Sequence, residues 1–180
     1  MRFLINIIYS YYHATRPSNN VKMIHKLHQR ICSSEFLAKK IFKTKIDPTI
    51  LKDTRGFNHL FDLTSILIRN LLNNTLDKKN KKKILDLGTG RYAILSIFLK
   101  KIYINTTVIA SDINENFIRH ADINCKQNNV EVNCVVSNLF QNIDDRDFDL
   151  ILWNLPYYED PNSYLKNFFE ESIYRITKDG

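Results

Sequence analysis

Glycine, proline and cysteine are all scarce in this chain. Its 180 residues include 4 Gly, 4 Pro and 3 Cys. The odd number of cysteines, with no Cys-x-x-Cys pair, gives no sign of a disulfide framework or of a zinc site, so we expect a reducing cytoplasm and no metal. No apolar run is long enough to span a bilayer, so no membrane contact is expected.

The apolar start of the chain, "MRFLINIIYSYYH", has to be weighed as a secretory signal. It is interrupted by Asn6 and Ser10, and no small-residue cleavage site follows it. We therefore do not expect a signal peptide.

The composition is that of a folded protein with a basic balance. Hydrophobic residues make up 44% and charged residues 25%, which argues against disorder throughout the chain. The formal net charge of +7 permits a nucleic-acid or ribosomal partner. It does not require one, because the high lysine content could reflect a coding bias alone.

Residues 1–56 are predicted to form an N-terminal helical arm, ahead of a main domain over residues 57–180. Helical patterning is weak: Ile24, Leu27 and Ile31 share one face, and Phe36, Leu37 and Ile41 continue it. The stretch "KIDPTI" predicts a turn, since Pro48 disfavours helix at Asp47. Two interpretations stay open, an arm packed on the main domain and an arm that recognises a substrate.

A stronger helix is predicted over residues 58–74. Leu60, Leu63, Leu67 and Leu71 recur at helical spacing, and Asn58 is a candidate N-cap. The charge run "LDKKNKKK" ends the helix. We interpret it as a solvated linker in preference to a nucleic-acid patch.

From Lys83 onward, strand and helix patterns alternate. The order is β-α-β-α-β-β-α, and the strands are apolar on both faces, which predicts an α/β fold with a mostly parallel sheet covered by helices. The predicted segments are "KILDLG", "YAILSIFLKKI", "TTVIASD", "NENFIRHADINCKQN", "VEVNCVVS", "DFDLILW" and "PNSYLKNFFEESIYRI".

Two polar features stand where predicted strands end. "LDLGTG" runs from the first strand into a glycine turn, and Asp112 ends the second strand 22 residues after Gly90. This spacing is typical of a nucleoside site, with the backbone near the ligand and a carboxylate on the ribose. A dinucleotide is not excluded by the glycines, but Asp86 would oppose a pyrophosphate and would suit a cationic amino-acid group.

The successive motifs "ILDLGTG", "VIASDIN", "VVSNLF" and "FDLILWNLPYY" resemble those of class I S-adenosylmethionine-dependent methyltransferases. The resemblance is to the Asn-Pro-Pro-Tyr subgroup and is strongest for the N5-glutamine methyltransferases of release factors. N6-adenine methyltransferases of DNA and RNA share the motif and remain an alternative. The implied acceptor is a protein, a release factor or ribosomal protein, with nucleic acid as the second choice.

The resemblance implies a Rossmann-like sheet, S-adenosyl-L-methionine as cofactor, and a role for each matching residue. Asn154 and the carbonyl of Leu155 would accept hydrogen bonds from the target nitrogen, and Tyr157, after Pro156, would flank the planar target. Asp86 would lie near the methionine end of the cofactor and Asp112 on its ribose. The implied cofactor site is Asp86, Gly88, Thr89, Gly90, Asp112, Ile113, Asn138, Leu139 and Asn154.

The chain also departs from the family pattern. Leu155 replaces a proline, Asn138 an aspartate, and Arg91-Tyr92 a small pair, and each change is expected to weaken the site. Strands one to four of the usual sheet are matched, and the C-terminal strands are missing. We therefore expect β-strand four to be an edge, open or covered by the arm or by a second copy, and keep a truncated, non-catalytic remnant as a further alternative.

Overall fold

The computed structural model describes residues 27–52, 59–75, 83–154 and 161–176. Residues 27–32 are helical and precede the named elements. The helices are α1 (Glu35–Phe42), α2 (Pro48–Lys52), α3 (Leu63–Thr75), α4 (Ile94–Ile102), α5 (Glu115–Gln127) and α6 (Pro161–Arg175). The strands are β1 (Lys83–Leu87), β2 (Thr107–Asp112), β3 (Asn133–Val136) and β4 (Leu150–Trp153).

The four strands form one parallel sheet in the order β3-β2-β1-β4. β1 lies between two neighbours, and its Ile84, Leu85 and Leu87 are at most 1% exposed. An apolar run buried on both faces is what a central parallel strand requires. The predicted α/β, Rossmann-like sheet is confirmed, with strands shorter than the apolar runs that predicted them.

The side of β4 away from β1 has one described neighbour from the same chain. Phe148, just before β4, forms an isolated parallel bridge with Ile176, which follows α6. The backbone N–H of Phe148 donates to the carbonyl of Arg175 at 2.8 Å. Among the described residues, the segment after α6 therefore covers the start of this edge. A homo-oligomer that covers the edge stays a prediction.

The described part of the arm packs into the core of the sheet domain. Cys32, Ala38, Phe42 and Ile50 are fully buried and belong to one hydrophobic cluster with Ile84, Phe98 and Leu152. Leu27 and Phe36, two positions of the predicted apolar face, are instead 58% and 71% exposed. Ile24 lies outside the described residues.

Polar contacts also attach the arm to α5. The Asn124 side chain accepts from the N–H of Asp47 at 3.0 Å and donates to the carbonyl of Tyr92 at 2.7 Å. Asn128 exchanges two further bonds with the backbone of Lys45. Pro48, predicted in a turn, is the first residue of α2, and Asp47 accepts from the N–H of Thr49 at 2.8 Å as a helix cap.

The predicted start of α3 was wrong, and of the four leucines predicted to share one face only Leu60, which precedes the helix, is buried. The helix begins at Leu63, and Asp62 accepts from the N–H of Ser65 at 2.6 Å, an N-cap contact. The predicted leucines Leu63, Leu67 and Leu71 are 52%, 46% and 48% exposed, whereas Ser65 and Leu72 are buried. The segment is apolar on most sides, so spacing alone did not identify the packed face. Asn58 and the charge run over 76–82 lie outside the described residues.

Among the helices that the structure describes, none combines the length and the apolar character needed to cross a membrane. The same residues contain no cluster of three or more His, Cys, Asp or Glu suited to a metal ion.

Candidate functional site

The carboxyl ends of the four strands meet at one edge of the sheet, because all four strands are parallel. The register pairs Leu87 with Ser111 and Trp153, and Asp112 with Val136. The residues that follow these strands are therefore neighbours, and ligands bind at this edge in open α/β sheets. The predicted site residues at this edge are Gly88, Thr89, Gly90, Ile113, Asn138, Leu139 and Asn154, with Asp86 and Asp112 within the ends of β1 and β2.

The glycine turn after β1 needs its glycines. Gly88 and Gly90 have φ of +64° and +66°, a left-handed conformation that L side chains rarely adopt. A Cβ on Gly88 would lie 3.4 Å from the indole Nε1 of Trp153, an ordinary van der Waals distance, so the preference for glycine here comes from φ. Between them, the N–H of Thr89 donates to the carbonyl of Ser111 at 2.9 Å, which joins the turn to the end of β2.

Asp112 connects the turn to the start of α5. Its Oδ2 accepts from the N–H of Gly90 at 3.0 Å, and its Oδ1 accepts from the N–H of Asn114 at 2.9 Å. Burial raises the pKa of this carboxyl, and the backbone donors oppose the rise. The N–H groups of Gly90, Asn114 and Ile113 all bond to this carboxylate, whose two oxygens can accept about four hydrogen bonds, so acceptor capacity for the ribose remains.

Asp86 lies beneath the turn rather than on its open side. It is 2% exposed, and its Oδ2 accepts from the hydroxyls of Ser96 at 2.6 Å and Thr89 at 2.8 Å. Burial raises its pKa from 3.8 to about 6, although the two hydroxyls favour the charged form. In this position Asp86 braces Thr89, and its predicted contact with the methionine end of the cofactor stays a prediction.

The predicted adenine neighbours follow β3. The N–H of Ser137 donates to the carbonyl of Asp112 at 2.9 Å, which holds this loop to β2. Asn138 and Leu139 line a surface cleft that α6 completes through residues such as Glu170 and Arg175. Asp112 is not among its lining residues, and Ile113 is 66% exposed.

Asn154 follows β4, and the structure gives it partners that the sequence did not predict. Its Nδ2 lies 3.2 Å from both carboxylate oxygens of Asp62 and 3.2 Å from the Oγ of Ser65. The "DLTS" segment carries the signal of a helix cap. No local pattern connects it with a residue 92 positions away. The other predicted catalytic positions, Leu155, Pro156 and Tyr157, lie outside the described residues.

The two bulky residues after the glycine turn make different contacts. The Arg91 guanidinium lies 4.6 Å from the centre of the Phe117 ring, and Tyr92 is 5% exposed within the hydrophobic core. The Tyr92 side chain therefore packs inward, where burial raises the pKa of its phenol.

Similarity to curated proteins is confined to part of the chain. The chain is 36% identical over 89 residues to the ribosomal RNA small subunit methyltransferase C of Serratia proteamaculans, and the match covers 49% of this chain and 25% of that protein. The chain is also 38% identical over 87 residues to a Methanocaldococcus jannaschii protein named "Putative protein N5-glutamine methyltransferase", and this match covers 48% of this chain and 42% of that protein. The chain thus spans less than half the length of these relatives.

A solved structure with the same fold comes from T. thermophilus. It is the 16S rRNA N2 G1207 methyltransferase in complex with AdoMet and guanosine. The TM-score is 0.57 at 19% identity, over 64% of this chain and 32% of that one.

A family model covers most of the chain and includes every site residue described above. The model is that of the methyltransferase small domain, and it matches residues 62–180. Its first matched residue, Asp62, is the partner of Asn154. The chain belongs to the methyltransferase small domain family.

Proposed function

We propose that this chain transfers a methyl group from S-adenosyl-L-methionine to a planar nitrogen bound at Asn154. The observation that carries the proposal is the position of Asn154. Trp153 pairs with Leu87 across the sheet, so Asn154 follows β4 where the glycine turn follows β1. A hydrogen-bonding amide thus stands next to a backbone turn suited to a nucleoside ligand.

The residues present fit the cofactor. Gly88 and Gly90 leave the turn without side chains, and Asp112 retains acceptor capacity for ribose hydroxyls beside them. The bound cofactor would supply an electrophilic methyl group on a sulfonium. Family membership agrees with this choice, which the motifs also predicted.

Asn154 would act on the nitrogen rather than on the methyl group. An amide or aromatic amine is a weak nucleophile, because its lone pair is delocalised. An acceptor on the N–H fixes the nitrogen in line with the methyl group and favours the geometry of attack. The second acceptor expected from the resemblance, the carbonyl of Leu155, belongs to the same proposal. The methyl–sulfur bond would break as the N–C bond forms, and the nitrogen would then lose its proton to water, so no strong base is required.

The acceptor we favour is a protein glutamine side chain. The "NLPYY" motif and the relative named for N5-glutamine methylation support it. A base in ribosomal RNA is the second candidate, supported by the ribosomal RNA methyltransferase relative and by the net charge of +7. A chain that binds the cofactor without transferring its methyl group is the third.

The test measures transfer of radiolabelled methyl from S-adenosyl-L-methionine to purified release factors and to small-subunit ribosomal RNA. Label recovered as N5-methylglutamine supports the favoured acceptor, and label in RNA replaces it with the second. Asn154→Ala should abolish transfer, whereas Asn133→Ala, at the exposed opposite end of β3, should not. Cofactor binding without transfer to either acceptor would favour the third candidate, and no binding would refute the proposal.

A further inference from the structure

We infer that Asp62 and Ser65 are positioning residues that fix the orientation of the Asn154 carboxamide, so that its oxygen faces the target nitrogen. The inference deepens the proposed function and rests on it for its catalytic consequence. It has a structural part, the fixed amide, that is tested without any methyl transfer.

The orientation follows from the donor and acceptor types. An ionised carboxylate only accepts hydrogen bonds, so the NH₂ of Asn154, and not its oxygen, must face Asp62. Both Asp62 oxygens lie 3.2 Å from Asn154 Nδ2. Rotating the amide by 180° would place its oxygen against a carboxylate, so Oδ1 is held on the opposite side.

Ser65 closes the network. Its hydroxyl donates to Asp62 Oδ1 at 2.7 Å, and its oxygen accepts from Asn154 Nδ2 at 3.2 Å. Ser65 is 3% exposed, on a helix whose exposed face carries leucines. The burial of the Ser65 hydroxyl is favourable because it forms two hydrogen bonds, one with Asp62 and one with Asn154.

Asp62 is itself held from two sides. Its carboxylate accepts from the N–H of Ser65 at 2.6 Å. The preceding segment is attached to the arm, since the N–H groups of Leu60 and Phe61 donate to the carbonyl of Cys32 at 2.8 and 3.4 Å. Leu60 and Phe61 are both buried. The arm thus supports the segment that presents Asp62 to Asn154.

The expected catalytic effect is on turnover. With the carboxamide preset, the target nitrogen meets an acceptor already in place, and little reorganisation remains for the reaction step. Misplacing a positioning group by about 1 Å can lower the rate about 10²-fold. Cofactor affinity should change little, because the residues proposed to hold the nucleoside of the cofactor are Gly88, Gly90 and Asp112.

The test variant is Asp62→Ser, with Asp47→Ser as its matched control. Serine caps helices about as well as aspartate, so α3 keeps its cap while the carboxylate that reaches Asn154 is lost. Asp47 is likewise an aspartate that caps a helix, α2, through the N–H of Thr49, but it is not among the partners of Asn154. Ser65→Ala is the second variant, and Asp62→Asn is the conservative one, retaining one acceptor oxygen.

The first readout is the pair of side-chain N–H signals of Asn154 in ¹⁵N correlation spectra, assigned by their loss in Asn154→Ala. Asp62→Ser and Ser65→Ala should shift these signals, and Asp47→Ser should leave them in place. Unshifted signals in Asp62→Ser would overturn the inference whether or not the protein transfers methyl groups.

The second readout is kinetic, on the acceptor identified in the labelling assay. Asp62→Ser should lower kcat about 10²-fold with cofactor affinity within about threefold of wild type, and Asp62→Asn should recover part of the loss. An unchanged kcat in Asp62→Ser would overturn the inference and leave the proposed function standing. A wild-type protein that binds no cofactor would refute the proposed function, and the spectra would still show whether Asp62 and Ser65 contact the NH₂ group of Asn154.

Discussion

The backbone N–H of Gly90 donates to Asp112 Oδ2 at 3.0 Å, across 22 residues of sequence. This bond connects the glycine turn after β1 to the carboxylate that ends β2. The same carboxylate accepts from the N–H of Asn114 at the start of α5. One side chain thus orders both loops between which the nucleoside of the cofactor would lie.

Replacing Asp112 with alanine should weaken cofactor binding. The loss removes the acceptor proposed for the ribose and releases the N–H of Gly90. Hydrogen bonds to charged groups contribute about 1.5–3 kcal/mol, so affinity should fall about 10- to 100-fold. Isothermal titration calorimetry with S-adenosyl-L-methionine measures the change. Asp122→Ala, an exposed carboxylate on α5 paired with Lys126, is the control. Equal affinities for Asp112→Ala and wild type would contradict the proposed role.

Replacing either glycine of the turn with alanine should destabilise the protein, but only one of the two replacements should change the surroundings of Trp153. Both have positive φ, which strains an L residue by about 1–2 kcal/mol. Only Gly88 has a neighbour within contact distance of the new Cβ, the Trp153 indole, whereas Gly90 has none within 4 Å. Both variants should therefore lose a similar amount of stability, and only Gly88→Ala should shift the emission of Trp153, the single tryptophan. Fluorescence-detected urea unfolding of both variants gives the comparison, and an emission shift in Gly90→Ala but not in Gly88→Ala would be inconsistent with this geometry.

The buried carboxyl of Asp86 should make stability depend on pH. Burial raises its pKa from 3.8 to about 6, so between these values the folded state binds more protons than the unfolded state. The contribution of Asp86 to stability is thus present below about pH 4 and is lost as pH rises through 6. The loss amounts to up to about 3 kcal/mol.

Asp86→Asn removes this titration. The stability of the variant relative to wild type should therefore rise between pH 4 and pH 7. Urea denaturation at pH 4, 5, 6 and 7 gives the difference. A difference that stays constant across this range would show that the pKa of Asp86 is not raised.

The corrected face of α3 predicts losses of stability of different size for two of its leucines. Leu72 is 4% exposed and belongs to the core, whereas Leu67 is 46% exposed. Leu72→Ala should lower the free energy of unfolding by about 2–5 kcal/mol, because it removes buried contacts and leaves a cavity. Leu67→Ala should cost less than about 1 kcal/mol. Chemical denaturation of the two variants measures both losses. Equal losses would contradict the packed face seen in the structure and favour the face predicted from spacing.

The sheet was predictable from local patterns. β1 and β2 are short apolar runs next to helical periods, and the only common way to bury such alternating elements is a parallel sheet under helices. The glycine turn and Asp112 were predictable for the same reason, since the ends of parallel strands must meet at one edge. Asn114 was correctly predicted as the cap of α5, where it accepts from the N–H groups of Asn116 and Phe117.

The packed face of α3 was not predictable in this way. Its leucines recur at the spacing of a buried stripe, but the structure buries Ser65, which bonds to Asp62 and Asn154. A hydrophobic pattern predicts that a serine is exposed. The hydrogen bonds with Asp62 and Asn154 make the burial of Ser65 favourable. The arm was equally ambiguous, because its exposed Phe36 and buried Phe42 look alike in sequence.

The sequence by itself determined the order of strands and helices, the glycine turn and the carboxylate at the end of β2, because these depend on period, backbone freedom and short-range spacing. Tertiary structure alone decided that Asp62 faces Asn154 and that the arm holds Asp62 in place. The physical reason is distance along the chain. A hydrogen bond between residues 92 positions apart exists only after the sheet has formed and α3 has packed against it, and no local pattern carries that information.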